Sequence, residues 1–448
     1  MRNDYNPLDA VPALEAPAML VHTQSFLQEI RDGRPEMQRL IKIAGLQTCP
    51  IIFTPTDDEV VQAILKENDL DVAQYYLQHN EYIVKSKFLH AVFSAETDPE
   101  LALRFEARHG FSLNDNMLMG NHYFHYHISH SSKRGISLDR ALDILEVYHV
   151  KSGIFKLRAN DITNQFLYDL ITVNKVIPNY KSLFIEFYHV KSAFPKYADT
   201  IENLLQSLHD RTMLINKCVV ELKYQSLRTV TNNASTEVMY HLSYLAVLVT
   251  GSFDNLAWII NYIYDLGFSL TENNRIKVKL QNPVYPQKKH SEAYYKALAV
   301  KAMAISSYLL SDKVSCLIDF IYPLRDAIQH RSFIRPLTVG GANRKEDKLL
   351  IWFPEEVRQV LQRYYKPESF GFASEMSGLM SRDYYDIYVF SKKLHTEITQ
   401  LINTVCGLIM LTDIVPVSVQ QIQLINETKA SLARDPFVGL KPQQFMAY

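Results

Sequence analysis

Glycine is scarce in this chain: 14 in 448 residues, in a sequence whose long stretches are built from Leu, Ile, Ala, Tyr, Glu and Lys. Tight turns between strands draw on glycine, whereas straight-chain residues and Ala hold helices. The chain is therefore predicted to be mainly α, with few strands. Helical patterns run through 138–151, 162–172, 197–228, 234–265, 291–321, 355–364 and 383–411. The tetrapeptides TDDE at 56–59 and TDPE at 97–100 have capping-box spacing, in which a Thr hydroxyl and a Glu carboxylate each satisfy an orphan N–H. Helices are expected to begin near 57 and 98.

At this length one hydrophobic core is not enough, because single cores stop growing at about 250–300 residues. Pro195, in FPKYAD between two helical patterns, marks the break. We read 1–195 as a mostly helical N-terminal domain of unknown role and 196–448 as a helical bundle. A hydrophobic content of 47% and a charged content of 21% belong to a folded chain. The formal net charge of −1 advertises neither nucleic acid nor an anionic membrane, so any anion-binding surface is local. Cys49, Cys218, Cys316 and Cys406 form no CxxC pair and read as small buried apolar residues of a reducing, cytoplasmic compartment. The N-terminal stretch lacks the apolar core of a secretory signal. The uncharged runs near 239–253 and 398–412 fall short of the roughly 20 apolar residues that cross a bilayer, so no membrane is expected.

Strand signals are brief. RIKVKL at 275–280 alternates, and FIRPLTVGGANRKEDKLLIWF at 333–353 reads as two apolar runs around a Gly-rich turn, a hairpin signal. An internal echo pairs EVYHVKSG at 146–153 with EFYHVKSA at 186–193. With two copies this is a local duplication, in which His149 and His189 are helix-surface or interhelix polar residues.

No GxxxxGK[ST], GxGxxG after a strand, HExxH or GxSxG occurs, so ATP hydrolysis, dinucleotide binding, zincin and α/β-hydrolase chemistry lose their sequence handle. Four histidines, His122, His125, His127 and His130, crowd NHYFHYHISH at 121–130. No carboxylate or Cys joins them at ligand spacing, so a half-buried segment outweighs a metal site. In SFDNLAWIINYIYDLG at 252–267, Leu256, Ile259, Ile260 and Ile263 form a core face, but Asp254 and Asn255 need partners and either cap or face a site. Basic residues then cluster on both sides of one motif. Lys277, Lys279, Lys288 and Lys289 precede it, and Arg331 and Arg335 follow; with Tyr285 and Phe333 among them they suit a phosphate backbone and unpaired bases.

The motif is PLRDAIQHRSF at 323–333, with Arg325 and His330 five positions apart and Asp326 beside the arginine. RNA scission needs a group to take the 2′-OH proton, one to protonate the leaving 5′ oxygen, and a cation for the phosphate. His and Arg suffice, with no metal and no cofactor. On one ideal helix, five residues at about 100° leave the two side chains ~140° apart. Pro323 is expected to kink or restart the chain just before them.

LRDAIQHR, preceded by a long apolar pattern and by FDNLAWIINYIYD, resembles the active-site region of the HEPN superfamily, whose signature is Arg, four to six residues, then His, with a polar residue after the Arg. The resemblance spans roughly 200–415. It implies a four- or five-helix bundle of HEPN type with small β-hairpin insertions, pairing as a homodimer across the motif so that two chains complete each site. It further implies that Arg325 orients and neutralises the scissile phosphate, that His330 is the acid/base group, and that Asp326 steadies them. The implied activity is metal-independent RNA cleavage leaving a cyclic phosphate, in a toxin or anti-phage defence effector, with the N-terminal half sensing a protein or nucleotide trigger. The alternative is a non-catalytic helical interaction or scaffold protein. A metal enzyme using the His122–His130 cluster comes third.

Overall fold

The computed structural model describes residues 19–434 apart from 22, 50, 79–80, 86–89, 95–110, 113–136, 159–160, 163–164, 228–231, 284–288, 331–335, 340–347 and 375–381. The helix expected from 98 and the histidines of 122–130 lie outside these residues. The chain is mainly helical, and its strands form only small sheets.

Near the N-terminus short apolar runs alternate with helices and build a sheet that no period-two pattern announced. Strand β1 (Met19–Val21) pairs in parallel with β2 (Ile51–Phe53), and β2 with β3 (Asp71–Val72). A fourth strand, β4 (Phe111–Ser112), joins β1 antiparallel. Parallel neighbours need a crossover, supplied here by helices α1 (Pro35–Gly45) and α2 (Glu59–Glu67). Met19, Val21, Ile51, Ile52 and Phe53 are all buried, so both faces are covered and polar alternation is absent. Helix α2 starts at Glu59 rather than near 57. Asp58 takes the cap, accepting from Val61 N at 3.0 Å, while Thr56 Oγ1 sits one step back and accepts from Asp58 N at 3.2 Å.

The remainder is a helical body. Helices α3 (Leu138–Lys151), α4 (Gln165–Val176) and α5 (Pro178–Val190) lead into α6 (Ala198–Leu227) and α7 (Asn232–Ile263), which pack lengthwise on each other. Leu205, Leu208, Ile215, Val219 and Leu222 recur at helical spacing along α6, and Leu242, Leu245, Val249, Phe253 and Leu256 do so along α7. Helix α8 (Asp312–His330) packs against α7, and α9 (Ile387–Leu408) against α5 and α6. The stretch Ala234–Ile263 is long and apolar enough to cross a bilayer, longer than its uncharged run suggested, and 67% of its most apolar window is buried among neighbouring helices.

Three local expectations change. The pattern at 291–321 is not one helix: Ala302, at φ −146° and ψ 61°, separates Glu292–Lys301 from Met303–Leu309, and α8 follows. Pro323 does not restart the chain, since α8 runs through it with one backbone donor missing. RIKVKL is not a strand. Residues Glu272–Lys277 form a short helix, and the alternation reports the one-sided burial of Val278 and Leu280 in the segment that leaves it. The hairpin is present, as β5 (Leu337–Val339) antiparallel to β6 (Lys348–Trp352), with β7 (Tyr384–Asp386) as a third strand.

Two large apolar clusters hold the described residues together, beside a small one of Leu350 and Tyr384. One gathers β1, β2, α1 and α2 with Ile144 and Leu145 of α3, Tyr168 of α4, and Tyr224 and Leu227 of α6. The other runs from Val173 of α4 through Leu183 and Phe187 of α5 to α6, α7, α8 and α9. Helix α6 thus belongs to both. All four cysteines are buried and unpaired, and burial pushes the Cys49 thiol up to about 12.

The echoed segments are the C-terminal turns of α3 and α5, and their side chains serve alike. Glu146 accepts from Lys223 and Glu186 from Lys429. His149 Nε2 meets Thr48 Oγ1 at 2.5 Å, and His189 Nε2 meets Thr428 Oγ1 at 3.1 Å. His189 is an interhelix polar residue, as the duplication suggested, whereas His149 is fully buried against Thr48 in the bend that follows α1.

Candidate functional site

Helix α8 is apolar on the face that meets α7 and polar at its C-terminal turns. Buried Tyr322 donates its hydroxyl to Asp254 Oδ1 of α7 at 2.7 Å. One turn on, Arg325 is half-buried and donates from Nε and Nη2 to Asp326 Oδ1, at 3.0 and 2.5 Å. Lys279 arrives from the segment after the short helix, with Nζ 5.6 Å from the Tyr322 ring centroid. Arg211 of α6 lies with its guanidinium against Gly251 of α7, where a Cβ would require the arginine to move aside. A glycine there costs the helix about 1 kcal/mol relative to alanine and leaves room for the guanidinium.

These groups converge on Asp254. Burial pushes its carboxyl above the usual aspartate range, opposed by the Tyr322 hydrogen bond and by the charges of Lys279, Arg325 and Arg211. Its neighbour Asn255 is spent on packing, donating from Nδ2 to Ser207 Oγ at 2.8 Å. A half-buried carboxyl under the charge of three cations can accept or release a proton beside a site that attracts anions.

Of the predicted residues, Arg325, Asp326 and Lys279 are brought together here. His330 closes α8, but its side chain lies outside the described residues. Because α8 is continuous, Arg325 and His330 stand ~140° apart around one axis. Lys277 is exposed on the short helix. The side chains of Lys288 and Lys289, together with Arg331 and Arg335, lie outside the described residues. The sequence reading missed Arg211 and Tyr322. The signals for them were the helical Gly251 and the polar Asp254 in an apolar helix, and each of these needed the tertiary partner to become legible.

A second charged region was not foreseen. Helices α1, α3, α4, α6 and α9 line a partly open cavity of about 500 Å³. At its centre Lys223 Nζ reaches Asp143 Oδ1 and Glu146 Oε2, both at 2.8 Å, and Lys392 Nζ reaches Asp143 Oδ2 at 2.6 Å. Tyr388 donates to the same Oδ2 at 2.5 Å. Burial alone would raise the Asp143 carboxyl, but Lys223 and Lys392 overcome it and hold it at about 2. His395, half-buried, meets Asn216 Oδ1 through Nε2 at 2.6 Å, and burial with the Lys223 charge drops its pKa to about 4. Further ion pairs on the wall join Lys217 to Asp169 and Lys151 to Glu221. Among the described residues no group of three His, Cys, Asp or Glu side chains is placed to hold a metal ion.

Compared with family models, curated proteins and solved structures, the chain matches none.

Proposed function

We propose that the junction of α6, α7 and α8 handles a phosphodiester, and that the protein is a metal-independent endoribonuclease. One observation carries the reading: Asp254, held by the Tyr322 hydroxyl at 2.7 Å with Lys279 over the Tyr322 ring, feels the charges of Arg325, Arg211 and Lys279 from three separate segments of an otherwise apolar bundle. Such a surplus of cations suits a phosphate oxyanion. In the proposed step the 2′ oxygen loses its proton to a base and attacks phosphorus. The bond to the 5′ oxygen breaks, and that oxygen takes a proton from an acid, leaving a 2′,3′-cyclic phosphate and a 5′-hydroxyl. Arg325 neutralises the phosphate, with Asp326 fixing the plane of its guanidinium, and His330 moves the proton. Since one helix separates Arg325 from His330, the resemblance to HEPN domains places the complementary pair on a second copy of the chain. That resemblance also supplies the role, a toxin or an anti-phage effector.

The test uses the full chain in EDTA with single-stranded RNA, beside Arg325→Ala and His330→Ala, read by cleavage and by RNA binding. Cyclic-phosphate products from the native chain, with both variants silent and helical content unchanged, support the reading. RNA binding and cleavage equal in native and variant chains, or neither detected in any, overturn it. A second reading, a non-catalytic helical interaction module, draws on the Arg325–Asp326 ion pair, which already neutralises the arginine within its own chain.

A further inference from the structure

The cavity between α1, α3, α4, α6 and α9 has a wall that does not balance. Among the described residues six basic and four acidic side chains line it, a surplus of two positive charges. The four carboxylates are matched by Lys223, Lys392, Lys217 and Lys151. The two cations left over are Arg39 of α1 and Lys175 of α4, neither with a carboxylate at ion-pair distance among the described residues. Arg39 Nε is buried with no hydrogen-bond partner. Lys175 is exposed, yet the surrounding protein and the Arg39 charge bring its ammonium down to about 8. Two like charges on the wall of one partly open cavity favour an anion bound between them. The rest of the wall includes apolar Ile171, Val176 and Val220.

We propose that this cavity binds a small organic phosphate of nucleoside-monophosphate size, its dianion between Arg39 and Lys175 and its organic part against Ile171, Val176 and Val220. Size and charge both select this class. The volume of about 500 Å³ falls within the ~300–1,000 Å³ of small-molecule sites and exceeds what a bare inorganic anion fills. A phosphate monoester near neutral pH carries close to two negative charges, where a carboxylate carries one. Lysine supplies a point charge and arginine a planar fork, the two modes in which proteins hold phosphate. The site shares no lining residue with the Asp254 cluster and does not depend on the RNA-cleaving reading.

The experiment is calorimetric titration and thermal melting of the full chain with each 5′-nucleoside monophosphate, adenosine and inorganic phosphate. Native chain, Lys175→Gln, the double variant Arg39→Gln/Lys175→Gln, and Lys296→Gln as a remote charge control are compared. At least one monophosphate is expected to bind at sub-millimolar concentration and raise the melting temperature, adenosine not to bind, and inorganic phosphate to bind at least tenfold more weakly. Lys175→Gln should weaken binding at least tenfold, the double variant further, and Lys296→Gln not at all. Relief of uncompensated charge should leave the ligand-free melting temperature of Lys175→Gln equal to or above native, which separates a ligand site from a structural ion pair. No binding of any phosphate at millimolar concentration, binding unchanged in the double variant, or adenosine as tight as its monophosphate overturns the proposal.

Discussion

Asp143 and Asp254 are both aspartates set among helices with lysine, arginine and a tyrosine hydroxyl close by, yet their carboxyls move in opposite directions. Asp143 is gripped by two lysines in direct contact and held at about 2. Among the described residues Asp254 is hydrogen-bonded by the Tyr322 hydroxyl, with no ion pair to its cations, so burial wins and the carboxyl rises. Contact, more than the number of charges nearby, decides which effect prevails. Asp143 is thereby committed to holding α3, α6 and α9 together, whereas Asp254 retains a proton affinity open to adjustment.

The contrast breaks if the wrong cluster fails under mutation. The largest effect expected is on activity: Arg325→Ala should lower RNA cleavage about 10²–10³-fold, as removal of an oxyanion-stabilising donor does. In chemical denaturation the same variant should shift stability by less than about 1 kcal/mol, since its ion pair is near the surface. Lys223→Met reverses the pattern. Stranding Asp143 and Glu146 without their shared partner should cost about 3–5 kcal/mol by urea denaturation, and a loss under 1 kcal/mol would show that this network does not hold the fold.

Acid sensitivity sharpens the comparison further. His395 has its pKa depressed to about 4, so between that value and the ordinary histidine range the unfolded chain takes the proton and the folded one does not. Stability is therefore present above about pH 6.5 and lost as pH falls toward 4, by at most about 3 kcal/mol. His395→Asn should flatten that part of a stability-against-pH curve. Asp143 extends the loss into more acidic solution, because its depressed carboxyl stabilises the fold above the usual aspartate range and ceases to as pH falls toward 2. Asp254 acts the other way: a raised carboxyl penalises the fold at neutral pH and the penalty lifts on acidification. Asp254→Asn should thus be neutral or stabilising at pH 7, within about 1 kcal/mol by thermal melting, the smallest effect of the set.

Much of the helical framework was legible because 3.6-residue periodicity is local. The pattern at 138–151 is α3 to the residue, and those at 197–228 and 234–265 fall within a few residues of α6 and α7. The parallel strands escaped because burial on both faces removes alternation, and RIKVKL misled because alternation without a partner strand looks the same in sequence. At the site, Arg325 and Asp326 stood side by side and Asp254 stood out against an apolar helix. Arg211 and Tyr322 did not, since their meaning comes from α6 and α8 crossing α7. The cavity was wholly hidden: Arg39, Asp143, Lys175, Lys223 and Lys392 are spread over more than 350 positions, and each is an ordinary surface charge until the chain is folded.

Helix α6 seals one apolar cluster with Tyr224 and Leu227 while its earlier turns seal the other with Leu205, Leu208 and Ile215. No cut on either side of it yields two finished pieces. A fragment ending at residue 195 would leave the sheet region with an open greasy flank, and a fragment starting there would carry a bare stripe of its own. The two should be insoluble apart, reassemble when co-expressed, and in the intact chain melt as one event.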